Sequence, residues 1–155
     1  SFEIISKKNP EYLLIILGDG EERYKLTNQI KSLKLENKVF LLGFEKNVYR
    51  YLNHASVFIS CSKYEDPGAS IIQAIYCNRF VISSNCKNGP SEILNSGKGG
   101  ILYDQVKGSI EESFEKFLEI NNEAKKKYIV NAKKNILKYS LFRHYKTLIK
   151  IINKV

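Results

Sequence analysis

The sequence has no methionine, not even at its first position, which is Ser1, and it reads as a piece of a longer protein. No apolar run approaches the roughly twenty residues that a membrane-crossing helix needs. No basic stretch leads into an apolar run and a small-residue cleavage site, so no secretory leader is visible. The three cysteines are Cys61, Cys77 and Cys86. An odd count without a Cys-x-x-Cys pair argues against both a disulfide framework and a zinc site. Reduced cysteines packed as small hydrophobes are expected instead, in a cytosolic setting. The only histidines, His54 and His144, lie far apart in sequence, and neither has a metal-ligand neighbour at helical spacing. There is no Asp-x-Asp metal motif, no internal repeat, no low-complexity tract and no interdomain linker. No metal and no cofactor is expected.

What is present suits one core-forming domain. The 155 residues are 43% hydrophobic and 26% charged, ordinary globular usage. Twenty-five basic residues against sixteen acidic ones give a net charge of +9, which favours anionic partners such as nucleotides, nucleic acid or anionic lipid. Nucleic acid is the weakest of these. The densest basic run, Lys125-Lys126-Lys127, sits inside a helical pattern, and no aromatic-interleaved basic strand or recognition helix accompanies it.

Short apolar runs alternate with amphipathic stretches. Tyr12–Leu17, Val39–Leu42, Val57–Ile59, Phe80–Ile82 and Gly100–Tyr103 have strand length, and residues 21–33, 47–53, 69–77 and 91–95 have helical spacing. The strands are uniformly apolar, so both faces should be buried, as in a parallel sheet covered by helices. The expected fold class is α/β: one Rossmann-like, doubly wound parallel sheet with helices on both faces and a helical C-terminal segment. In that segment Ser109-Ile110-Glu111-Glu112 reads as a capping box, residues 122–138 continue the helical pattern, and Ser140 caps a final helix. That basic, amphipathic helix is expected to pack across its own domain, with a membrane surface as the alternative.

Ligands of open parallel sheets bind at the carboxyl ends of the strands. Three loops leave such ends, at 18–20, 43–46 and 60–68, and all carry glycine. Gly18-Asp19-Gly20 lets backbone approach a ligand, although it is not a Gly-x-Gly-x-x-Gly fingerprint. The richest stretch is Ser62–Ala74. Gly68 turns the chain into a helix, so that the amides of 68–70 point at whatever lies beyond the helix start, a place suited to phosphate. Glu65, three residues earlier, would repel phosphate but can accept hydrogen bonds from sugar hydroxyls. Gln73, one turn inside the helix, can hydrogen-bond a diol.

On these residues the chain resembles the C-terminal, donor-binding half of the retaining glycosyltransferases of the GT-B fold, family 4. The motifs run in order: Leu17-Gly18-Asp19-Gly20, Phe40-Leu41-Leu42-Gly43-Phe44, Leu52–Ile59, Ser62-Lys63-Tyr64-Glu65, and Asn88-Gly89-Pro90-Ser91-Glu92-Ile93-Leu94. The resemblance implies a nucleotide-diphosphate-sugar site. Glu65 matches the first acid of a Glu-x7-Glu motif that holds the donor sugar and is the expected catalytic residue. Pro67, Gly68, Ala69 and Ser70 would border the sugar and diphosphate. Gly18, Gly20, Phe44 and Glu45 would border the nucleotide, and Gln73 takes the place of the second acid. An amide there lacks the charge-assisted strength of a carboxylate.

The resemblance further implies a hexosyltransferase-type enzyme using a UDP- or GDP-sugar. Its acceptor would be a glycan or lipid-linked molecule, held by an N-terminal domain, in cell-surface polysaccharide or glycoconjugate synthesis. The location implied is cytoplasmic, at the inner face of the membrane, where peripheral contact would suit a lipid-linked acceptor. Residues 1–155 are expected to be a single domain that starts in the helix after the family's first strand. Without that central strand and its diphosphate-clamping Arg and Lys, the fragment is expected to be inactive alone, and the sheet must close the gap or borrow a strand. A non-catalytic nucleotide-sugar-binding module and a GT-B-fold epimerase are the alternatives.

Overall fold

A computed structural model describes residues 1–153. It is an α/β structure whose strands are all parallel, in two sheets. The chain opens with α1 (Phe2–Lys8), followed by β1 (Leu14–Leu17), α2 (Arg23–Ser32), β2 (Val39–Gly43), α3 (Tyr49–Leu52) and β3 (Val57–Ser60). Next come α4 (Ala69–Tyr76), β4 (Phe80–Ser84), α5 (Pro90–Ile93) and β5 (Ile101–Tyr103). The C-terminal helices are α6 (Ser109–Glu119), α7 (Asn122–Ile136) and α8 (Leu141–Ile152), with a 3-10 turn over Leu137–Tyr139 between the last two.

β4 is the middle strand of the sheet β3-β4-β5, and every residue of it is buried. Its side chains alternate between two cores, as a strand period of two requires. Val81 points into a cluster with Ile71, Ala74 and Ile75 of α4, Ile93 of α5, and Ala132 and Ile136 of α7. Phe80 and Ile82 point the other way, to Ile5 of α1, Phe114 and Phe117 of α6, and Tyr103. Full burial of each of these aliphatic side chains stabilises the fold by about 1.5–3 kcal/mol. The uniformly apolar sequence of this strand is therefore explained by helices on both faces.

The second sheet, β1-β2, departs from that expectation. Ile15, Phe40 and Leu42 are between a third and a half exposed, and α2 buries none of its residues. Apolar sequence called for two covered faces; α2 packs against β2 but buries none of its own residues in doing so. The expected break in the sheet is present and has not closed, since β1 pairs with β2 and β3 with β4, while β1 and β3 do not pair with each other. The two-stranded part is tied to the rest through α1 and the segment after it. Tyr12 packs edge-on against Phe114 with ring centroids 5.0 Å apart, and Lys8 forms an ion pair with Glu115 of α6.

The helix starts correct two further expectations. The Ser109–Glu112 capping box does not form: Gly108 is the N-cap, and the Ser109 hydroxyl turns back to the carbonyls of Asp104 and Val106, at 2.5 Å each. Ser140 does cap the last helix, accepting from the Arg143 amide at 3.4 Å. That helix, however, does not pack across its own domain, and all its residues are exposed.

Candidate functional site

The helix α4 begins at Gly68 because that residue takes a left-handed conformation, φ 91° and ψ 50°, which is open to glycine and strained for other residues. No side chain caps this helix. Among the described residues the amides of Gly68, Ala69 and Ser70 meet no protein acceptor, while Ile71 and Ile72 both donate back to the Gly68 carbonyl. Ala69 and Ser70 are exposed. The start of α4 therefore offers unsatisfied donors and the positive end of the helix dipole together.

Glu65 leans over this opening. Its Oε2 lies 3.8 Å from the position a β-carbon would take on Gly68. Its other oxygen accepts from the Ser60 hydroxyl at 3.4 Å. Glu65 is half-buried and Gln73 is half-buried. Gln73 shares the face of α4 that carries Ala69 and Ser70, four and three residues earlier. Pro67 is exposed and follows a cis peptide bond from Asp66.

The loop carrying Glu65 is held from beneath and from the side. The carbonyl of Ser62 accepts from the Ser84 hydroxyl at 2.6 Å and from the Gln105 amide at 2.5 Å. The Tyr103 hydroxyl donates to the Ser60 carbonyl at 3.1 Å. Burial, and then its hydrogen bond with Cys61, raise the pKa of this phenol well above the ordinary tyrosine value. On the flank, Asn88 donates to the Tyr64 hydroxyl at 3.0 Å, and Tyr64 and Lys87 form an isolated parallel bridge. At Gly89 (φ 128°) a β-carbon would sit 2.4 Å from the Pro67 carbonyl oxygen, so only glycine lets the two loops touch. Asn135 of α7 fixes the far end of that turn by donating to the carbonyls of Glu92 and Ile93, at 2.6 and 2.8 Å. Hydrogen bonds from Lys138 and then from Tyr139, with the lysine charge, hold the Glu92 carboxyl below its usual range.

Sequence reasoning left this supporting set unassigned. Asn88 and Gly89 stood out only as part of a turn motif. Ser83-Ser84, a polar pair ending the most apolar strand, was a usable signal for Ser84; nothing in the sequence singles out Tyr103 or Gln105.

The remaining expected residues lie on the other sheet. Gly18 donates to the Gly43 carbonyl at 2.7 Å, which joins the loops after β1 and β2. Gly18 and Gly20 line a recess of about 270 Å3, together with Ile16, Arg23, Leu26 and Leu41. Glu65, Gly68 and Gln73 are not part of its lining. Phe44 is 78% exposed, free to meet a planar ring. Glu45 is engaged by Tyr51, whose hydroxyl donates to it at 3.1 Å; that bond keeps the phenol protonated above its ordinary pKa. The structure thus gathers Glu65, Gly68, Ala69, Ser70 and Gln73 at one helix start, and Gly18, Gly20, Phe44 and Glu45 at the strand ends across the gap. Cys61, Cys77 and Cys86 are free thiols. Among the described residues no group of three or more His, Cys, Asp or Glu could hold a metal ion.

Known proteins resemble this chain over most of its length. The family described as glycosyl transferases group 1 matches residues 1–135. An uncharacterized glycosyltransferase of Methanocaldococcus jannaschii is 45% identical over 94 residues, covering 61% of this chain and 23% of its own length. The N-acetylgalactosamine-N,N'-diacetylbacillosaminyl-diphospho-undecaprenol 4-alpha-N-acetylgalactosaminyltransferase of Campylobacter jejuni is 34% identical over 91 residues, covering 59% of this chain and 25% of its own length. Among solved structures, Staphylococcus aureus TarM, crystallised with fondaparinux, alpha-GlcNAc-glycerol and UDP, superposes with a TM-score of 0.85 at 28% identity over 97% of this chain and 31% of TarM. This chain therefore spans about a quarter of the length of the curated relatives it matches. With the parallel strands, the order of motifs and the family match in agreement, the chain belongs to the glycosyl transferases group 1 family and has the Rossmann-like architecture of a GT-B C-terminal domain.

Proposed function

We propose that this chain is the donor-binding domain of a retaining glycosyltransferase that takes a UDP- or GDP-sugar. The observation that carries the reading is the start of α4, where three amides without protein acceptors lie beside the half-buried carboxylate of Glu65. The amides of Gly68, Ala69 and Ser70 would receive the diphosphate, whose negative charge grows as the glycosidic bond to it breaks. Donors already fixed at that point stabilise the charge without reorganising. Glu65 would accept hydrogen bonds from donor-sugar hydroxyls, and Gln73 would hold the ribose diol. Exposed Phe44 would stack on the base, with Gly18, Gly20 and Glu45 bordering the nucleotide. Neither a metal nor a cofactor has a role in this scheme.

The domain reading belongs to the same proposal. The chain would be one Rossmann-like unit of a longer enzyme, with a preceding strand received between the edges of β1 and β3 that no described strand pairs. The acceptor, a glycan or a lipid-linked sugar, would be held by an N-terminal domain at the cytoplasmic face of the membrane. The hexosyltransferase activity would belong to the whole enzyme and not to this fragment. The undecaprenol-linked substrate of the Campylobacter relative and the UDP in the TarM crystals support these assignments. One observation favours the second reading, a binding module without catalysis: Gln73 stands where a carboxylate would bind a diol more strongly.

Titration calorimetry of the full-length protein with UDP, GDP and their sugars tests the reading. Binding of one of them, lost in Glu65→Ala without loss of thermal stability, is expected. Undiminished binding by Glu65→Ala, or binding of none of these nucleotides, refutes it.

A further inference from the structure

β3 is apolar from Val57 to Ile59 and then ends on a serine. Ser60 is buried, with 6% of its surface exposed, and it pairs with Ser83 of the central strand. Strand alternation sets its side chain on the same face as Phe58, which packs against the cluster that includes Ile71, Ala74 and Ile75 of α4. A hydroxyl in such a place costs stability unless it is hydrogen-bonded. An apolar side chain would fill the position without that cost, so the partners of the hydroxyl are informative.

Two acceptors lie within its reach, Ser62 Oγ and Glu65 Oε1, each at 3.4 Å. The hydroxyl carries one proton, and a carboxylate is the stronger acceptor. Among the described residues this is the only side-chain hydrogen bond to the Glu65 carboxylate. The backbone of Ser60 is fixed independently, because its carbonyl accepts from the Tyr103 hydroxyl at 3.1 Å. The two oxygens of Glu65 therefore differ. Oε1 is tied to the buried end of β3, while Oε2 lies over the start of α4, 3.8 Å from the position of a β-carbon on Gly68.

We infer that Ser60 is a positioning residue, whose hydroxyl holds Glu65 Oε1 so that Oε2 stays aimed at the hydroxyls of the donor sugar. The inference rests on the donor-site reading and adds to it that Glu65 presents one oxygen, not two, to the sugar. A glutamate that orders on binding loses rotamer freedom, and one already anchored at Oε1 has less to lose. At 3.4 Å the bond is long, and bonds of this kind tighten when substrate engages the site.

The test is titration calorimetry of the full-length protein with UDP-N-acetylglucosamine, UDP-glucose and GDP-mannose, and with bare UDP and GDP. Ser60→Ala is expected to weaken binding of the sugar nucleotide on the order of tenfold, the scale of one hydrogen bond to a charged group. Binding of the bare nucleotide is expected to stay unchanged, since Glu65 reaches the sugar and not the diphosphate. Ser60→Thr, which keeps the hydroxyl on a strand-favouring residue, restores the sugar-nucleotide affinity. The melting temperature of Ser60→Ala stays close to that of the parent, because the Tyr103 bond goes to a main-chain carbonyl that the substitution retains. Equal weakening of the sugar nucleotide and the bare nucleotide gives Ser60 a structural role only and overturns the inference. So does a Ser60→Ala variant that binds the sugar nucleotide as the parent does while Glu65→Ala loses it; the donor-site reading then survives. A parent that binds none of the three sugar nucleotides, or a Glu65→Ala variant that binds them undiminished, overturns that reading and this inference with it.

Discussion

Gly89→Ala should damage this protein more than its place on a surface turn suggests. The residue adopts φ 128° and ψ −62°, a conformation that costs a non-glycine residue about 1–3 kcal/mol. The added methyl would also begin 2.4 Å from the Pro67 carbonyl oxygen, and that neighbour is backbone, so the loop must move by more than half an ångström. Overpacking of this kind costs a further 1–3 kcal/mol or so. The expected loss is about 4 kcal/mol, which lowers the Tm by roughly 10 °C for a domain of this size. Gly18→Ala separates the two contributions. Gly18 also has a positive φ, 117°, but an added β-carbon there meets nothing within 4 Å, so only the backbone cost remains. The Pro67 carbonyl lies between Glu65 and the Gly68 amide, so moving it should also weaken donor binding. Scanning calorimetry and nucleotide titration of both variants provide the test. If Gly89→Ala melts no lower than Gly18→Ala and binds donor as the parent does, the contact between the two loops does not shape the site.

Two further outcomes follow from the site. Gln73→Glu should tighten donor binding several-fold, because a charged acceptor adds about 1 kcal/mol to a hydrogen bond from a hydroxyl; unchanged affinity in calorimetry removes Gln73 from the diol contact. Tyr103 has its folded-state pKa raised above the ordinary 10.0 by burial first and then by Cys61, so its contribution is complete below pH 10 and is lost as the pH rises beyond it, where the unfolded chain releases the proton and the folded one does not. Tyr103→Phe should flatten that alkaline decline in urea-melt stability. It should also cost about 1 kcal/mol at neutral pH for the lost bond to the Ser60 carbonyl, and an unaltered alkaline slope would place the titration elsewhere.

The sequence by itself determined the α/β class, the order of strands and helices, and the hinge at Gly68, because those features depend on local apolar runs and on one residue without a β-carbon. It also placed Glu65 and Gln73 near that hinge, since both are fixed by distance along one short stretch of chain. Tertiary structure alone decided which strands have both faces covered. Val81 and Ile15 look alike in sequence, yet Val81 is buried between α4, α5 and α7 while Ile15 is nearly half exposed. It decided that Ser109 folds back on its own loop instead of capping α6, and that α8, expected to pack across its own domain, buries none of its residues there. The supports of the Glu65 loop also come only from folding. Ser84, Asn88, Gly89, Tyr103 and Gln105 reach it across separations of roughly twenty to forty residues, and contacts at that range follow from the packing of parallel strands, which no local pattern records.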